Sequence, residues 1–386
     1  MDAERRLRAE VYHSIQDLER VRPEWESLLA QFPSSTTFST LTWLIPWWRA
    51  FGGDDRLQVI GFRDRAGSLA GLAPLSLTSS CDLWFQLRWL RFMGDGSQDS
   101  DNLDFPVRRG FEALLSLSLL EWLEKHRQDW DICRLSRLPA ASLVGNRLLA
   151  DIRALGWSVF ISRHPCSAIE LPESWELYLK RLSSKERGKI GLRTRRLEKR
   201  YRVEIRKCSE AGELDAALEA LFELHRKHWQ LRGLPGTLHV PARRQFYHEL
   251  ALQLAGAALE LWTLKLEGRI VATQFGFRHR DVVFSLQEGF DPEFSSDSVG
   301  YVLRAQVLKR LIAAGVRRYD FLGGTDESKT RWGAVVGSYL NFDFARPFSR
   351  GSLPLRLKYK GAECKAWLRN HLPETAWSTL KALRQG

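Results

Sequence analysis

Two segments of this chain share one plan, and their similarity is the feature that most constrains the fold. Residues 57–75 and 259–277 each contain an apolar strand pattern, a charged turn with glycine, and a second strand of small and apolar residues. Each segment follows a helical pattern with aromatic residues and precedes further strands and a helix. The similarity has no short fixed period, which excludes a solenoid. It favours two copies of one α/β domain, although any two hairpins would share part of the pattern.

The length and composition agree with a folded protein of two domains. The chain has 386 residues, of which 44% are hydrophobic and 27% charged, so a mostly disordered or collagen-like chain is excluded. Its most apolar stretch, residues 111–123, is shorter than the about 20 residues that span a membrane and contains two glutamates. The N-terminus lacks the apolar core of a secretory signal, and the five cysteines form no CxxC pair. We therefore expect a cytoplasmic protein without a disulfide framework or a zinc ribbon.

Positive charge is concentrated in one segment. The formal net charge is +12, and residues 180–207 alone contain thirteen Lys or Arg and three Glu. A general nucleic-acid binder spreads its charge more widely, so we do not expect DNA binding. The helical pattern over residues 185–201 is interpreted in two ways: as a solvated surface helix, or as a clamp for an anionic donor, substrate or lipid. Arg187 and Arg193, near its start, are the candidate contacts.

The stretch from Leu259 to Trp332 contains the pattern that is most informative about function. Three strands are followed by a loop of small residues at 291–300, then by a helix and a strand that ends in two glycines. Such a loop leaves unpaired N–H groups at the start of the helix, where the helix dipole favours a pyrophosphate. Ser298, Gly300 and Tyr301 occupy this start. An ordinary serine cap is the other interpretation.

These segments, in this order, resemble a known family of acyltransferases. The sequences that carry the resemblance are GRIVATQFGF, EGFDPEFSSDSVGYVL, AAGVRRYDFLGG and SKTRWG, with FSTLTWLIPWWRAF, LPESWELYLKRLSSKERGKIGLRTRRLE and LHRKHWQLRGLPGT upstream. They are similar to the CelD/BcsL acetyltransferase-like family, a relative of the Fem peptidoglycan aminoacyltransferases, over about residues 10–345. The resemblance implies two GNAT-like domains in tandem and the transfer of an acyl group to an amine or hydroxyl.

The expected fold is α/β with mixed (α+β) sheets and two tandem GNAT-like acyltransferase domains. We assign residues 1–165 to an N-terminal GNAT-like domain and residues 166–345 to a C-terminal domain that binds the acyl donor. Residues 346–386 mix Trp and Leu with Lys and Arg. They are expected to form a helical tail that packs on the body, docks a partner or lies on a membrane surface.

Three residues are candidates for catalysis, and the resemblance implies the role of one of them. It places Lys329, just beyond the strand that ends in glycines, near the transferring carbonyl, whose oxyanion the ammonium would stabilise. A surface lysine is the plain alternative. Glu288 and Asp320 lie on the two strands that flank the site, and either would remove the proton of the acceptor. A structural role in fixing the loop is equally open for Asp320, because a carboxylate in this apolar strand needs hydrogen bonds.

Binding roles are assigned around the same site. In a strand that splays as in GNAT folds, the N–H groups of residues 287–289 would point at the donor carbonyl. The candidate residues for binding the acyl donor are Gln287, Gly289, Ser298, Gly300, Tyr301 and Arg304. The candidates for binding the substrate are His225, Trp229, Arg187 and Arg193. His225 and His228 are one helical turn apart, but no carboxylate or cysteine completes a metal site, and no metal is expected.

The acyl donor stays open at the level of the sequence. The usual GNAT pyrophosphate loop, (Arg/Gln)xxGx(Gly/Ala), is replaced by SSDSVG, as in the Fem-like branch. We expect acetyl-CoA or another acyl-CoA as co-substrate, and a sugar, cell-envelope or exopolysaccharide precursor as acceptor. The alternatives are a Fem-like transferase that uses aminoacyl-tRNA and a non-catalytic accessory protein of polysaccharide synthesis. Peripheral contact with the inner face of the membrane is a further expectation.

Overall fold

The computed structural model describes residues 6–82, 85–97, 99–208, 210–231, 233, 234, 236–256 and 258–371. Residues 6–170 are called the N-terminal half and residues 171–371 the C-terminal half. In chain order, the N-terminal half contains β1 (Arg8–Tyr12), α1 (Ile15–Gln31), α2 (Leu41–Phe51), β2 (Arg56–Arg63), β3 (Leu69–Asp82), β4 (Phe85–Phe92), α3 (Glu112–Lys125), β5 (Ile132–Pro139), α4 (Leu143–Ala154) and β6 (Ser158–Glu170).

The C-terminal half follows a similar order of strands and helices. It contains α5 (Trp175–Arg181), α6 (Ser184–Arg200), β7 (Val203–Cys208), α7 (Ala211–Gln230), α8 (Pro241–Leu254), β8 (Leu259–Leu266), β9 (Arg269–His279), β10 (Val282–Phe290), α9 (Val299–Ala313), β11 (Arg318–Gly323), α10 (Glu327–Thr330), β12 (Val335–Ala345) and α11 (Ser352–His371). Short 3₁₀ turns lie at Thr37–Ser39 and Pro292–Asp297. The predicted C-terminal tail includes α11, and its residues 372–386 lie outside the described residues.

The described strands form one mixed sheet in the order β1-β2-β3-β4-β5-β12-β6-β11-β10-β9-β8-β7. In each half, four strands pair antiparallel in sequence and a fifth joins the fourth in parallel, as β5 joins β4 and β11 joins β10. The two similar segments of the sequence are the hairpins β2–β3 and β8–β9. The second hairpin turns at Glu267 and Gly268, whose positive φ angles of 49° and 82° suit a two-residue turn. The predicted α/β class with mixed sheets is confirmed.

The two halves exchange their last strands at the centre of the sheet. β6 follows β5 in the chain but pairs with β11, and β12 follows β11 but pairs with β5. β6 and β12 also pair with each other, antiparallel, along the whole of Val335–Ala345. The predicted boundary between residues 165 and 166 falls within β6, so the halves meet through shared strands rather than through a linker.

The sheet of the C-terminal half is covered on both faces. Leu259 and Leu261 of β8 pack in a hydrophobic cluster with α7 and α8, whereas Leu264 and Leu266 pack in a second cluster with α5, α6 and α9. Burial on both faces explains why these strands are almost continuously apolar in sequence. None of the helices described here is long and apolar enough to cross a membrane.

Candidate active site

The parallel strands β10 and β11 part after three paired residues. Their pairing ends at Phe284 and Asp320, and β10 then bulges between Ser285 and Gln287 and continues beside β9 alone. The edge of β10 that β11 leaves borders a cavity of about 560 Å³. Among the described residues, the backbone groups on that edge have no neighbouring strand to pair with.

Six of the candidate site residues predicted from the sequence line this cavity. These are Gln287, Glu288, Arg304, Lys329, His225 and Trp229. They come from β10, α9, α10 and the end of α7. The remaining predicted residues lie outside the lining of this cavity, namely Asp320, Gly289, Ser298, Gly300, Tyr301, Arg187 and Arg193.

Glu288 faces the cavity as one member of an ion pair. Arg304 Nε lies 3.2 Å from Glu288 Oε1, and a second nitrogen of the same guanidinium contacts Oε2. Gln274 Nε2 donates to Oε1 at 2.9 Å. The side chain of Glu288 is 35% exposed, against 15% for Arg304. This contact set orients the carboxylate at the opening of the strand gap.

Lys329 reaches the cavity from α10 and also braces the end of β11. Its ammonium donates to the carbonyl oxygens of Phe321, Gly323 and Gly324 at 3.2, 2.8 and 3.2 Å. An ammonium has three N–H donors, so each has a backbone partner here. Burial lowers the pKa of Lys329, and the carboxylate of Asp326 opposes that shift.

Asp320 holds the turn at the end of β11 instead of facing the cavity. Its Oδ1 accepts from the backbone N–H of Leu322 at 2.7 Å, and its Oδ2 lies 3.4 Å from Arg318 Nη2. Leu322 has a φ of 60°, a left-handed conformation that is strained for leucine. Burial raises the pKa of Asp320. The contacts are those of the structural role left open for this carboxylate.

His225 is buried beside the cavity as a neutral imidazole. Trp229 Nε1 donates to His225 Nε2 at 2.8 Å. Because an indole nitrogen only donates, Nε2 is the unprotonated nitrogen of the ring. Burial lowers the pKa of His225 to about 4, helped by His228. Gly289 lies behind it, where a Cβ would sit 2.9 Å from the Cβ of Leu224, so β10 packs on α7 only with glycine at this position.

The start of α9 differs from the ordinary serine cap, whereas the pyrophosphate site stays a prediction. Ser298 takes a left-handed conformation with a φ of 57°, and its side chain forms no capping hydrogen bond. The ordinary serine cap is therefore absent. Gly300 lies against the ring of Phe290, and a Cβ added at Gly300 would be 3.5 Å from that ring. The Tyr301 hydroxyl donates to Glu186 at 3.2 Å, and burial raises the pKa of Tyr301 to about 12.

The basic helix α6 packs beside that helix start. Arg193 places its guanidinium carbon 4.5 Å from the centre of the Tyr301 ring, a cation–π contact. Arg187 turns the other way and donates to the carbonyl oxygen of Leu182 at 3.4 Å. Of the two arginines chosen from the sequence, only Arg193 lies against the first turn of α9.

The N-terminal half supplies a wall of the cavity that the sequence reasoning missed. Its lining side chains are Asp99, Asp101, Arg137 and His164. Arg137 Nη1 donates to Asp101 Oδ1 at 3.0 Å, and the backbone N–H of Gly323 donates to Asp101 Oδ2 at 2.7 Å. A Cβ on Gly323 would lie 2.6 Å from Arg137 Nη1 and 2.9 Å from His164 Nε2, so these side chains would have to shift to accommodate one.

Asp99 is the most enclosed carboxylate of this wall. Its side chain is 2% exposed, and Oδ1 accepts from the Tyr247 hydroxyl at 3.0 Å. Arg243 Nε lies 3.1 Å from Oδ2, but no aligned hydrogen bond joins them. Burial raises the pKa of Asp99 to about 6, although the charge of Arg243 opposes the shift. A buried carboxyl that titrates near neutrality is typical of functional sites.

Two buried indoles hold the loop that bears these carboxylates. Trp43 Nε1 donates to Ser100 Oγ at 3.0 Å, and Trp47 Nε1 donates to Ser97 Oγ at 2.8 Å. Both tryptophans come from α2, which packs on α8 of the other half through the ring of Phe246. The loop is therefore fixed from both halves before any ligand arrives. Within the described part of the chain, no group of three His, Cys, Asp or Glu is arranged to hold a metal, and the expectation of a metal-free site stays a prediction.

Comparison with protein families defines the class of this site. Residues 184–330 match the family model described as an acetyltransferase (GNAT) domain, and this range contains the parted strands, Glu288 and Lys329. The GNAT-type domain predicted for the C-terminal part is confirmed over these residues. Membership of the CelD/BcsL family and the choice between amine and hydroxyl acceptors stay predictions. Among curated proteins, no significant match to the chain was found.

Solved structures share the arrangement of both halves. The crystal structure of FemX aligns with a TM-score of 0.61 and 12% identity, covering 90% of this chain and 99% of FemX. A conserved protein of unknown function from Bacteroides thetaiotaomicron aligns with a TM-score of 0.53 and 14% identity, covering 84% of this chain and 97% of its own. At these identities the likeness is one of fold. The predicted fold of two GNAT-like units in tandem is confirmed.

Proposed function

We propose that this protein is an acyltransferase of the cell-envelope type, and that its reaction takes place in the cavity where β10 and β11 part. The observation that carries the proposal is the unpaired edge of β10 beside Glu288 and Lys329. Unpaired backbone donors next to an ammonium group favour a carbonyl oxygen that gains negative charge. The acceptor is an amine or hydroxyl of a sugar or envelope precursor.

The proposed reaction uses the groups that line the cavity. The acceptor attacks the donor carbonyl, whose oxygen becomes an oxyanion that backbone N–H groups of β10 and the ammonium of Lys329 stabilise. Lys329 exchanges one of its three carbonyl partners for this oxygen. Glu288 takes the proton of the acceptor and passes it to the departing group of the donor. Asp320 supports the turn at Leu322 and does not touch the reacting atoms.

The preferred donor is an acyl-CoA, with its pyrophosphate at the first turn of α9. The N–H groups of Val299 to Tyr301 open this helix, and Arg193 lies against Tyr301. A helix N-terminus beside a guanidinium suits a phosphate group. Gln287 and Arg304 line the cavity at the strand gap, where the acyl group of this donor would lie.

The second candidate is an aminoacyl-tRNA donor. The exposed cations of α6 favour it, because a polynucleotide makes several phosphate contacts where a coenzyme makes few. The left-handed Ser298, in place of a glycine-rich loop, favours it as well. The two donors are separated by measuring the binding of acetyl-CoA and of charged tRNA to the purified protein.

The test of the reaction is the consumption of donor in the presence of cell-envelope precursors. We expect Glu288→Gln to lower kcat by about a hundredfold or more. The matched control is Glu293→Gln, because Glu293 also pairs with an arginine but is 66% exposed and lies outside the cavity. Equal rates for the two variants, or no consumption of either donor by the wild type, would contradict the proposal and favour the accessory-protein alternative. Mass spectrometry of envelope glycans and lipids, with and without the protein, identifies the acceptor.

A further inference from the structure

Helix α11 carries a stripe of exposed apolar side chains, of which Leu353 and Leu357 border a cavity with residues 156–159 of the body. Leu355 is buried at 2% exposure, whereas Leu353 and Leu357 are 54% and 49% exposed and lie one turn apart. Trp367, further along the helix, is 59% exposed. Phe348, in the turn before the helix, is 96% exposed and has a φ of 57°. An amphipathic helix on a globular protein normally buries such residues, so this stripe indicates a contact surface.

Basic residues flank the stripe. Residues 346–371 contain seven Lys or Arg and one Glu. Among those whose burial the structure describes, the exposed cations are Arg350, Arg356, Lys358, Lys360 and Arg369. A helix with leucine and tryptophan on one side and Lys or Arg beside them is the composition that binds in the interface of an anionic bilayer.

We propose that α11 and the turn before it, residues 346–371, dock this protein on the surface of an anionic lipid bilayer. Charge complementarity selects this occupant over a second copy of the chain, because two copies of so basic a segment repel each other. Residues 372–386 bring two more cations and one carboxylate, so they do not complement the segment either. RNA matches the charge but leaves Phe348, Leu353 and Leu357 in water.

The docking surface and the cavity share one face of the central strands. Tyr359 of α11 packs on Phe160 of β6 with ring centres 6.4 Å apart, and His164 of β6 lines the cavity. Phe160 and His164 are four residues apart on a strand without a bulge, so their side chains point to the same face, about 13 Å apart. Docking through α11 therefore sets that face toward the bilayer. The inference does not depend on the proposed acyl transfer.

Vesicle co-sedimentation of the full chain tests the proposal. We expect sedimentation with vesicles rich in phosphatidylglycerol and little with pure phosphatidylcholine. The variant Phe348→Ser/Leu353→Ser/Leu357→Ser should bind about tenfold more weakly or worse. Its matched control is Leu252→Ser on α8, which removes a leucine that is 61% exposed on another helix.

Charge reversal separates the two basic helices. Arg350→Glu/Lys360→Glu should abolish sedimentation, whereas Arg195→Glu/Arg196→Glu on α6 should leave it unchanged. All four residues are exposed, so the variants are expected to fold, and thermal unfolding verifies this. Binding that is lost in the α6 variant but kept in the α11 variant would overturn the proposal.

Three further outcomes would also overturn it. A wild-type chain that stays in the supernatant with phosphatidylglycerol vesicles shows that no bilayer docks there, whether because copies associate or because residues 372–386 cover α11. Equal binding to both kinds of vesicle removes the role of the anionic lipid. Capture by RNA without capture by vesicles assigns the basic charge to a nucleic acid.

Discussion

In each half of the molecule, two parallel strands pair over a few residues and then separate. The resulting gap is filled in the N-terminal half and open in the C-terminal half. In the N-terminal half, β4 and β5 pair over three residues, ending at Arg91 and Arg134, and then separate. The chain itself fills that gap, because Leu72 of β3 donates to the Pro106 carbonyl at 2.8 Å and Leu103 donates to the Arg137 carbonyl of β5 at 3.1 Å. In the C-terminal half, the corresponding gap between β10 and β11 is the open cavity.

The difference shows that two units of similar fold contribute differently to one cavity. The segment that closes the first gap is buried, with Leu103, Phe105 and Val107 at 3%, 0% and 3% exposure. The same loop presents Asp99 and Asp101 to the cavity of the other half. The N-terminal half therefore contributes a wall to the open gap of the C-terminal half.

Phe105→Ala should have the largest effect on stability, because it removes a side chain from the filled gap of the N-terminal half. Phe105 is fully buried in the filled gap, with its ring centre 5.0 Å from that of Phe92. Truncation of a buried phenylalanine leaves a cavity and costs about 3–5 kcal/mol, measured as the free energy of unfolding in urea. Phe348→Ala serves as the control, since that ring is 96% exposed and its loss should change stability by less than about 0.5 kcal/mol. A loss below about 1 kcal/mol for Phe105→Ala would show that the segment does not fill the gap.

Asp99→Asn tests the carboxylate that the loop presents to the open gap. Burial raises the pKa of Asp99 to about 6, whereas an unfolded aspartate titrates near 4. Between these values the folded state keeps a proton that the unfolded state has lost. The stability contributed by this group is therefore present below about pH 4 and is lost as the pH rises to about 6, a change of about 3 kcal/mol.

We expect Asp99→Asn to remove that component of the pH dependence, measured by urea unfolding at several pH values. Asp104→Asn is the matched control, because burial also raises the pKa of Asp104 to about 6 and its partner is Ser142, away from the open cavity. Both variants should flatten the pH profile of stability, and only Asp99→Asn should change KM. The same change in KM for both would place Asp99 outside the site.

The variant Arg137→Gln tests whether the wall that the N-terminal half contributes to the cavity takes part in substrate binding. Arg137 pairs with Asp101, whose side chain is 10% exposed, so removal of the cation leaves a buried carboxylate and costs about 2 kcal/mol. Arg134→Gln is the matched control on the same strand, since Arg134 pairs with Asp343, which is 7% exposed, and lies outside the cavity lining. A smaller loss of stability is expected for Arg134→Gln, because Lys358 also pairs with Asp343 at 2.8 Å, and a rise in KM is expected for Arg137→Gln alone. A rise in KM for both variants would assign the effect to the sheet as a whole.

The sequence predicts the elements whose signal is local. The hairpins β2–β3 and β8–β9 were predicted because their apolar runs and glycine turns lie next to each other in the chain. Strands β1 and β12 were not, and β12 pairs with β5 and β6 of the other half, which no local pattern shows. Strand pairing over such distances depends on the exchange at the centre of the sheet.

The residues of the candidate site also fall into those that the sequence predicts and those that it misses. Glu288, Lys329 and His225 were found because they belong to the half that carries the resemblance. Asp101 was missed, since it meets Gly323 across 222 positions of the chain. One signal was available: the loop after β4 repeats aspartate among serine and asparagine, and most of its described residues are buried, which is unusual for such a composition.

Lys329→Met has the smallest expected effect on stability, and it tests most directly whether the open gap contains an oxyanion site. Both halves cap the helix after their fifth strand with a side chain, Ser142 for α4 and Asp326 for α10, but in the C-terminal half the ammonium of Lys329 also braces β11 through three carbonyls. Loss of these bonds should lower the free energy of unfolding by about 1–2 kcal/mol, because water replaces part of them at the cavity. Lys227→Met is the control, since Lys227 also pairs with a buried partner, Asp291 at 3.1 Å, outside the cavity. A hundredfold fall in kcat for Lys329→Met alone supports a role at the oxyanion, because one lost donor at a developing charge costs that much. An unchanged kcat together with the loss of stability would leave Lys329 as a brace of the turn and assign the oxyanion to the backbone of β10.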